Sequence, residues 1–163
     1  MKTLHINDGD IFKLAMEKAT VGQLDTAVAV TTNGVVKKDG NAVMGKGIAL
    51  QASKLCPTAP RVLGRLLRRD GNHSYRICEI SNEHMAKRYC VFSFPTKNDW
   101  RDKSDMDLIC RSAHEIMALC DRYSISTCYL PAVGCGCGGL DWKNAVEPLL
   151  SEILDDRFIV VIN

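Results

Sequence analysis

Short apolar runs alternate with longer amphipathic ones along the chain, and the alternation predicts strands and helices in turn. Residues 3–7 read as a strand with Leu4 and Ile6 on one face. A helix follows over about 11–19, where Ile11, Leu14, Ala15 and Lys18 recur at spacings of three and four. Thr26–Thr32 is small, β-branched and uncharged. That is the pattern of a central strand buried on both faces. Gly47–Leu55 reads as a helix stopped before Pro57. Pro60 opens the next helix, which carries Val62, Leu63, Leu66 and Leu67 and ends at Asp70-Gly71. Residues 75–80 and 89–94 are strands joined by the polar segment 81–88. The clearest helix spans 104–123. Ser104 and Asp107 start it as a capping-box-like pair, and Met106, Ile109, Cys110, Ala113, Met117 and Cys120 make its apolar stripe. Residues 127–130 form another strand. Residues 142–154 form a helix with a break expected at Pro148. Phe158–Ile162 is apolar throughout and reads as a central terminal strand. About six strands and five helices in this order predict an α/β fold, a three-layer α/β/α sandwich around a mixed sheet of about six strands. No linker or repeat divides residues 1–163, so one domain is expected.

Composition removes several classes. The chain has 163 residues, 46% hydrophobic and 25% charged, with a net charge of +2. That is a globular profile and not a disordered one. Near-neutrality gives no strong basic surface for duplex nucleic acid and none for an anionic membrane. A local field in one pocket stays compatible with it. The clusters Arg61, Arg65, Arg68, Arg69 and Lys87-Arg88 read either as a solvated helix face and loop or as contacts to a strand. Eight cysteines stand at 56, 78, 90, 110, 120, 128, 135 and 137, with no C-x-x-C pair. Zinc sites of the ribbon or finger type need paired ligands about two to four residues apart. Reduced, mostly structural cysteines are expected, with no metal, no cofactor and a cytoplasmic compartment. No signal peptide and no membrane-length apolar run is apparent.

Two glycine-rich stretches carry the chemistry. Met44-Gly45-Lys46-Gly47 precedes one helix, and Val133-Gly134-Cys135-Gly136-Cys137-Gly138-Gly139 precedes another. Each follows a strand and ends at a helix N-terminus. There, free N–H groups and the helix dipole favour an anion. Two such loops at the carboxyl ends of strands suit a pyrophosphate. Neither is a P-loop, and neither is the G-x-G-x-x-G dinucleotide fingerprint. No arginine follows Cys135 or Cys137 to complete a cysteine phosphatase site.

Four segments in register along the chain resemble the macrodomain family, whose members bind ADP-ribose. They are Gly9-Asp10-Ile11-Phe12; Thr31-Thr32-Asn33 with Met44-Gly45-Lys46-Gly47-Ile48-Ala49; Phe94-Pro95-Thr96-Lys97 with Trp100 and Ser104; and Pro131 through Trp142. The branch that looks most similar contains the DarG antitoxins and the terminal ADP-ribose protein glycohydrolases. The resemblance implies that Asp10, beside the Ile11 backbone, accepts from the adenine amino group. It implies that Thr32 and Asn33 stand at the distal ribose. The loops Met44, Gly45, Lys46, Gly47 and 133–139 would hold the diphosphate and ribose. Lys97, with Asn33, would carry catalysis. A nucleophilic lysine needs desolvation or a cationic neighbour, and a place after an apolar strand would help.

Two departures from the branch are visible. Val30 replaces the first Asn of its N-x-x-N, and the loop behind Asn33 is longer. Gly138 stands where the human-type enzyme has an acid, and Asp141 reads as the cap of the next helix. Selectivity would then come from loops 34–42 and 81–88. Three functions remain open on this resemblance. One is hydrolysis at the distal ribose C1″, releasing ADP-ribose from modified DNA, RNA or protein. The second is an ADP-ribose 1″-phosphate phosphatase. The third is a non-catalytic reader, for which Lys97 would be superfluous. A monomer is expected.

Overall fold

The computed structural model describes residues 5–162. Among these, six strands and five α-helices alternate. They are β1 (His5–Asp8), α1 (Ile11–Lys18), β2 (Thr26–Thr32), α2 (Gly47–Leu55), α3 (Ala59–Asp70), β3 (Arg76–Asn82), β4 (Lys87–Pro95), α4 (Met106–Arg122), β5 (Thr127–Pro131), α5 (Glu147–Ile153) and β6 (Phe158–Ile162). One sheet has the order β1-β6-β5-β2-β4-β3. β3 runs antiparallel to β4, and every other neighbouring pair is parallel. The mixed sheet expected from the sequence is therefore present.

Side-chain alternation along the central strands builds two cores. Ala27 and Ala29 of β2, with Phe92 and Phe94 of β4, face α4 and α5. Val28 and Val30, with Tyr89 and Val91, face α1, α2 and α3. A strand buried on both faces cannot alternate apolar with polar residues, which is why β2 reads as a continuous small apolar run. Helices on both faces complete the α/β/α sandwich. No helix among the described residues is long and apolar enough to cross a membrane.

Several expectations shift in detail. Thr3 and Leu4 of the first expected strand lie outside the described residues, and Ile6 is 47% exposed on β1, an edge strand. The cap of α4 is Asp105, not Ser104: its carboxylate accepts from the Asp107 and Leu108 N–H groups at 2.8 and 3.3 Å. Ser104 is instead drawn beneath the 134–139 loop, its N–H donating to Gly138 O at 3.0 Å. The buried face of α4 is Leu108, Ile109, Ser112, Ala113, Ile116 and Cys120, while Met106, Cys110 and Met117 are only half-buried. Ser112 caused the offset. It is polar by type, yet its hydroxyl donates to Pro95 O at 2.7 Å, so it can lie inside.

The ends of the segment 81–88 are strand, since Ser81 pairs with Arg88 and Asn82 with Lys87, and only 83–86 form a turn. The turn that remains sits at the amino end of β4, opposite the edge where the glycine loops lie. It cannot select a ligand held there. The break expected near Pro148 is present. A π-helical turn, Trp142–Val146, hands over to α5, with Pro148 in the first turn of α5, where a missing N–H costs nothing.

Candidate functional site

Five parallel strands end at one edge of the sheet, and the loops that leave them gather there. This is where open α/β sheets take ligands. The loop after β1 supplies Gly9, Asp10 and Ile11. The first turn and a half of α2 supplies Gly47, Ile48 and Gln51. Together with Pro131 and Val161 they line a cleft of about 400 Å³.

Asp10 caps α1. One carboxylate oxygen accepts from the Phe12 and Lys13 N–H groups at 3.0 and 3.3 Å. The second oxygen accepts no hydrogen bond among the described residues, and Asp10 and Ile11 both border the cleft. Capping and ligand contact are thus compatible in one side chain. α2 begins differently. Its N-cap, Lys46, makes no side-chain cap bond, so its first N–H groups lack a side-chain acceptor at the helix end that borders the cleft through Gly47 and Ile48.

The wall at Pro131 continues into the second glycine loop. Its internal bonds are few: Cys135 N–H to Ala132 O, Gly139 N–H to Gly136 O, and Leu140 N–H to Gly134 O at 2.9 Å. Among the described residues, the N–H groups of Gly134, Gly136, Cys137 and Gly138 donate to no protein acceptor. Gly138 is required by close approach. A Cβ there would stand 2.1 Å from Ser104 Oγ and 2.5 Å from Gly134 O. The acid of the human-type loop therefore has no room at this position. Asp141 does not replace it. Its carboxylate caps the π-helical turn, accepting from the Asn144 backbone and side chain at 3.1 and 2.9 Å, and these bonds hold its pKa below the usual range.

Cys135 is not poised as a thiolate. Burial, and then the Asp141 charge, push its thiol up, and Sγ donates to Val133 O at 3.3 Å. Cys137 is exposed. Met44 and Val133, expected among the ligand contacts, have buried core side chains, so only their backbone can meet a ligand.

Asn33 and Lys97 come together because β2 and β4 are adjacent and in register, Thr32 opposite Pro95. The Gly34 N–H donates to Asn98 O at 2.9 Å, locking the two strand exits. Asn33 differs from expectation. Its amide is already used locally, Nδ2 donating to Val43 O at 3.2 Å and Oδ1 accepting from the Val35 N–H at 3.0 Å. It closes the base of the 34–42 loop, leaving one N–H and one lone pair for a diol. Lys97 is not desolvated by the strand before it. Burial ends at Thr96, and Nζ donates to Trp100 O and Asp102 O at 3.4 and 3.2 Å. Two hydroxyls at this edge, Thr32 Oγ1 and Ser104 Oγ, are buried without a partner.

Two residues escaped the sequence reading. Asn72 Nδ2 donates to Lys97 O at 3.2 Å and to Asn98 Oδ1 at 2.9 Å, bracing the Lys97 loop from the end of α3. Nothing in Gly71-Asn72 distinguishes it from an ordinary helix-ending turn. Gln51 lies on the cleft four residues after Gly47, and that helical spacing was a usable signal.

The Macro domain family model matches residues 32–149. The chain belongs to this family. A DNA ADP-ribosyl glycohydrolase from Thermus aquaticus is 29% identical over 113 residues, covering 69% of this chain and 31% of that protein. A DNA ADP-ribosyl transferase-DNA ADP-ribosyl glycohydrolase fusion protein from Thermosipho africanus is 36% identical over 168 residues, 94% of this chain and 39% of that one. The chain thus spans about a third of the length of the curated relatives it matches. Among solved structures, the macrodomain of Mycobacterium tuberculosis DarG superposes with a TM-score of 0.73 at 24% identity, over 99% and 98% of the two chains. Thermosipho africanus DarTG in complex with ADP-ribose superposes at 0.71 and 21% identity, over 99% of this chain and 42% of that one.

Proposed function

We propose that the chain is an ADP-ribosyl glycohydrolase that removes ADP-ribose from DNA, acting as a single macrodomain and a monomer. One observation carries the reading. At the carboxyl edge of the sheet, a cleft bordered by Asp10 and the start of α2 adjoins, through Pro131, a glycine loop whose N–H groups at 134, 136, 137 and 138 have no acceptor among the described residues, with Lys97 at the exit of β4. Asp10 takes the adenine amino group through its second oxygen, with the Ile11 N–H beside it. The α2 N-terminus at Gly45, Lys46 and Gly47 and the amides of 134–138 hold the diphosphate. Asn33 and Thr32 orient the distal ribose. The curated relatives support DNA as the modified partner, since DNA is what their names specify.

At the distal ribose the bond between C1″ and the leaving atom breaks, and its electron pair goes to the leaving group. Water supplies the new C1″–O bond. The Lys97 ammonium gives a proton to the leaving atom and regains one from the attacking water. This is general acid chemistry and needs no lysine adduct. The crowding at Gly138 supports it, because the loop has no acid to resolve an adduct.

The test offers the protein ADP-ribosylated DNA, an ADP-ribosylated glutamate peptide and ADP-ribose 1″-phosphate in parallel, with calorimetry on free ADP-ribose. Release from DNA well above the other two is expected. Preferential turnover of the phosphate would make the protein a phosphatase, and binding without turnover of any substrate would make it a reader.

A further inference from the structure

We propose that the arginine face of α3 is a docking track for the DNA strand that carries the ADP-ribose, holding its phosphates beside the Lys97 loop. The inference rests on the glycohydrolase reading and extends it to the part of the substrate outside the cleft. Arg61, Arg65, Arg68 and Arg69, with Asp39 and Gly40, line an open groove of about 670 Å³. Arg61, Arg65 and Arg68 are spaced by four and three, so they share one helix face. They span about 10.5 Å along the axis, far enough apart to meet successive phosphates of a nucleic-acid backbone.

Charge on this face is unusually uncompensated. Residues 59–69 contain no acid, so Arg61–Arg65 and Arg65–Arg69 are like-charge pairs at four residues and mutually repulsive. Arg61 and Arg65 have no hydrogen bond or ion pair among the described residues. Arg69 is paired with Asp70 at 2.8 Å, and Arg68 donates to Lys37 O at 3.2 Å. The carboxylate of Asp39 is turned to its own loop, accepting from the Asn41 N–H at 2.9 Å. A merely solubilising face would interleave acids, and a repeating anion is what this one fits.

The groove is fixed relative to the site. A Cβ on Gly64 would stand 2.0 Å from Gly40 O, so α3 lies backbone to backbone on the 34–42 loop, whose base is Asn33. At its other end α3 runs into Asn72, which holds Lys97 O and Asn98. Arg68 is no more than about 14 Å of chain from Asn72. Trp100, 49% exposed on the Lys97 loop, carries the Arg101 guanidinium over its ring at 5.5 Å, an aromatic–cation pair of the kind on which unpaired bases stack. That favours a single strand over a duplex.

The test measures binding of a 12-nucleotide mixed-sequence single-stranded DNA to the full chain across a salt series, for the parent, Arg61→Ala/Arg65→Ala and Arg61→Lys/Arg65→Lys. The alanine pair should weaken binding about tenfold at low salt and make the log–log salt slope shallower by about 1.4, or about 0.7 per phosphate contact. The lysine pair should keep the slope. KM for the ADP-ribosylated oligonucleotide should rise in the alanine pair with kcat unchanged, and the Kd for free ADP-ribose should not move. Parental affinity and slope in the alanine pair would overturn the track, as would tighter binding of RNA of the same sequence. If the parent fails to release ADP-ribose from modified DNA while the alanine pair still weakens oligonucleotide binding, the glycohydrolase reading fails and the track stands.

Discussion

The 132–140 loop and the outer face of α3 both present donors to an anion, but they are made of different material. The loop uses backbone N–H groups with no formal charge, fixed by the turn bonds around Gly134, Gly136 and Gly138. The helix uses guanidinium groups on flexible stems, two of them unpartnered among the described residues. Fixed dipoles in a narrow cleft read one shape and respond weakly to ionic strength. Mobile exposed charges read any polyanion and weaken as counterions compete. The difference teaches how a chain of net charge +2 can engage a polyanionic substrate. The ligand is defined by amides, and the strand carrying it is held by an arginine face in which Arg61 and Arg65 have no carboxylate partner among the described residues.

The most damaging change to the amide side should fall on chemistry and spare affinity. Lys97→Ala should lower kcat for release of ADP-ribose by about 10²–10⁴-fold, the range for losing a positioned acid. Calorimetry with ADP-ribose should show a Kd within a few-fold of the parent. Retained turnover would remove Lys97 from the mechanism. Next in size, Gly138→Ala should weaken ADP-ribose about tenfold to a hundredfold, since overpacking of this kind costs roughly 1–3 kcal/mol. Oligonucleotide binding on α3 should be untouched. Adding Ser104→Ala should recover only part of the loss, because Gly134 O still stands 2.5 Å from the new Cβ. Full recovery would mean that the hydroxyl alone requires glycine there.

Much of this was legible in the residues and some was not. β2 and α2 match their expected bounds because each has a pure signal, a doubly buried strand and a helix closed by Pro57. The glycine loops were legible as strand-to-helix connections at the carboxyl edge of the sheet, because closely spaced glycines interrupt both kinds of apolar period. The state of Asn33 was not legible, since its type says only that it can donate and accept. Which partner takes each valence depends on Val35 and Val43 meeting it in space. Asn72 was hidden for the same reason, its partners lying 25 and 26 residues away. The arginine face was visible as composition. Its closure against Gly40 depends on Gly64, a mid-helix glycine whose purpose only the packing reveals.

Asp10 joins both kinds of link, a local cap and an open valence, and two substitutions separate them. Asp10→Ser keeps a cap acceptor and loses the second oxygen. It should stay near parental stability yet weaken ADP-ribose about tenfold to a hundredfold, as expected for one hydrogen bond to a charged group. Asp10→Ala should weaken the ligand equally and also lose about 1 kcal/mol of stability, read as a lower urea midpoint. Equal ligand affinity in the serine variant and the parent would show that the open oxygen touches nothing.

The smallest effect lies at the far edge of the sheet, where neither anion region reaches. Asp25 precedes β2 and ties it to β5 through backbone bonds from Ser126 and Thr127. Burial raises its carboxyl pKa, but donation from Thr20 and Thr26 outweighs this and leaves it lowered. The unfolded value is about 3.9. The bonded carboxylate therefore contributes stability that is present above about pH 4 and is lost as pH falls through the lower folded value. Solvent screening holds the contribution under about 1 kcal/mol. Asp25→Asn should flatten the acid limb of the urea midpoint between about pH 5 and pH 2 while leaving the ADP-ribose Kd and the DNA salt slope at neutral pH unchanged. An unchanged acid limb would place acid sensitivity elsewhere, with Asp99, held at about 2 by Arg101, as the next group to substitute.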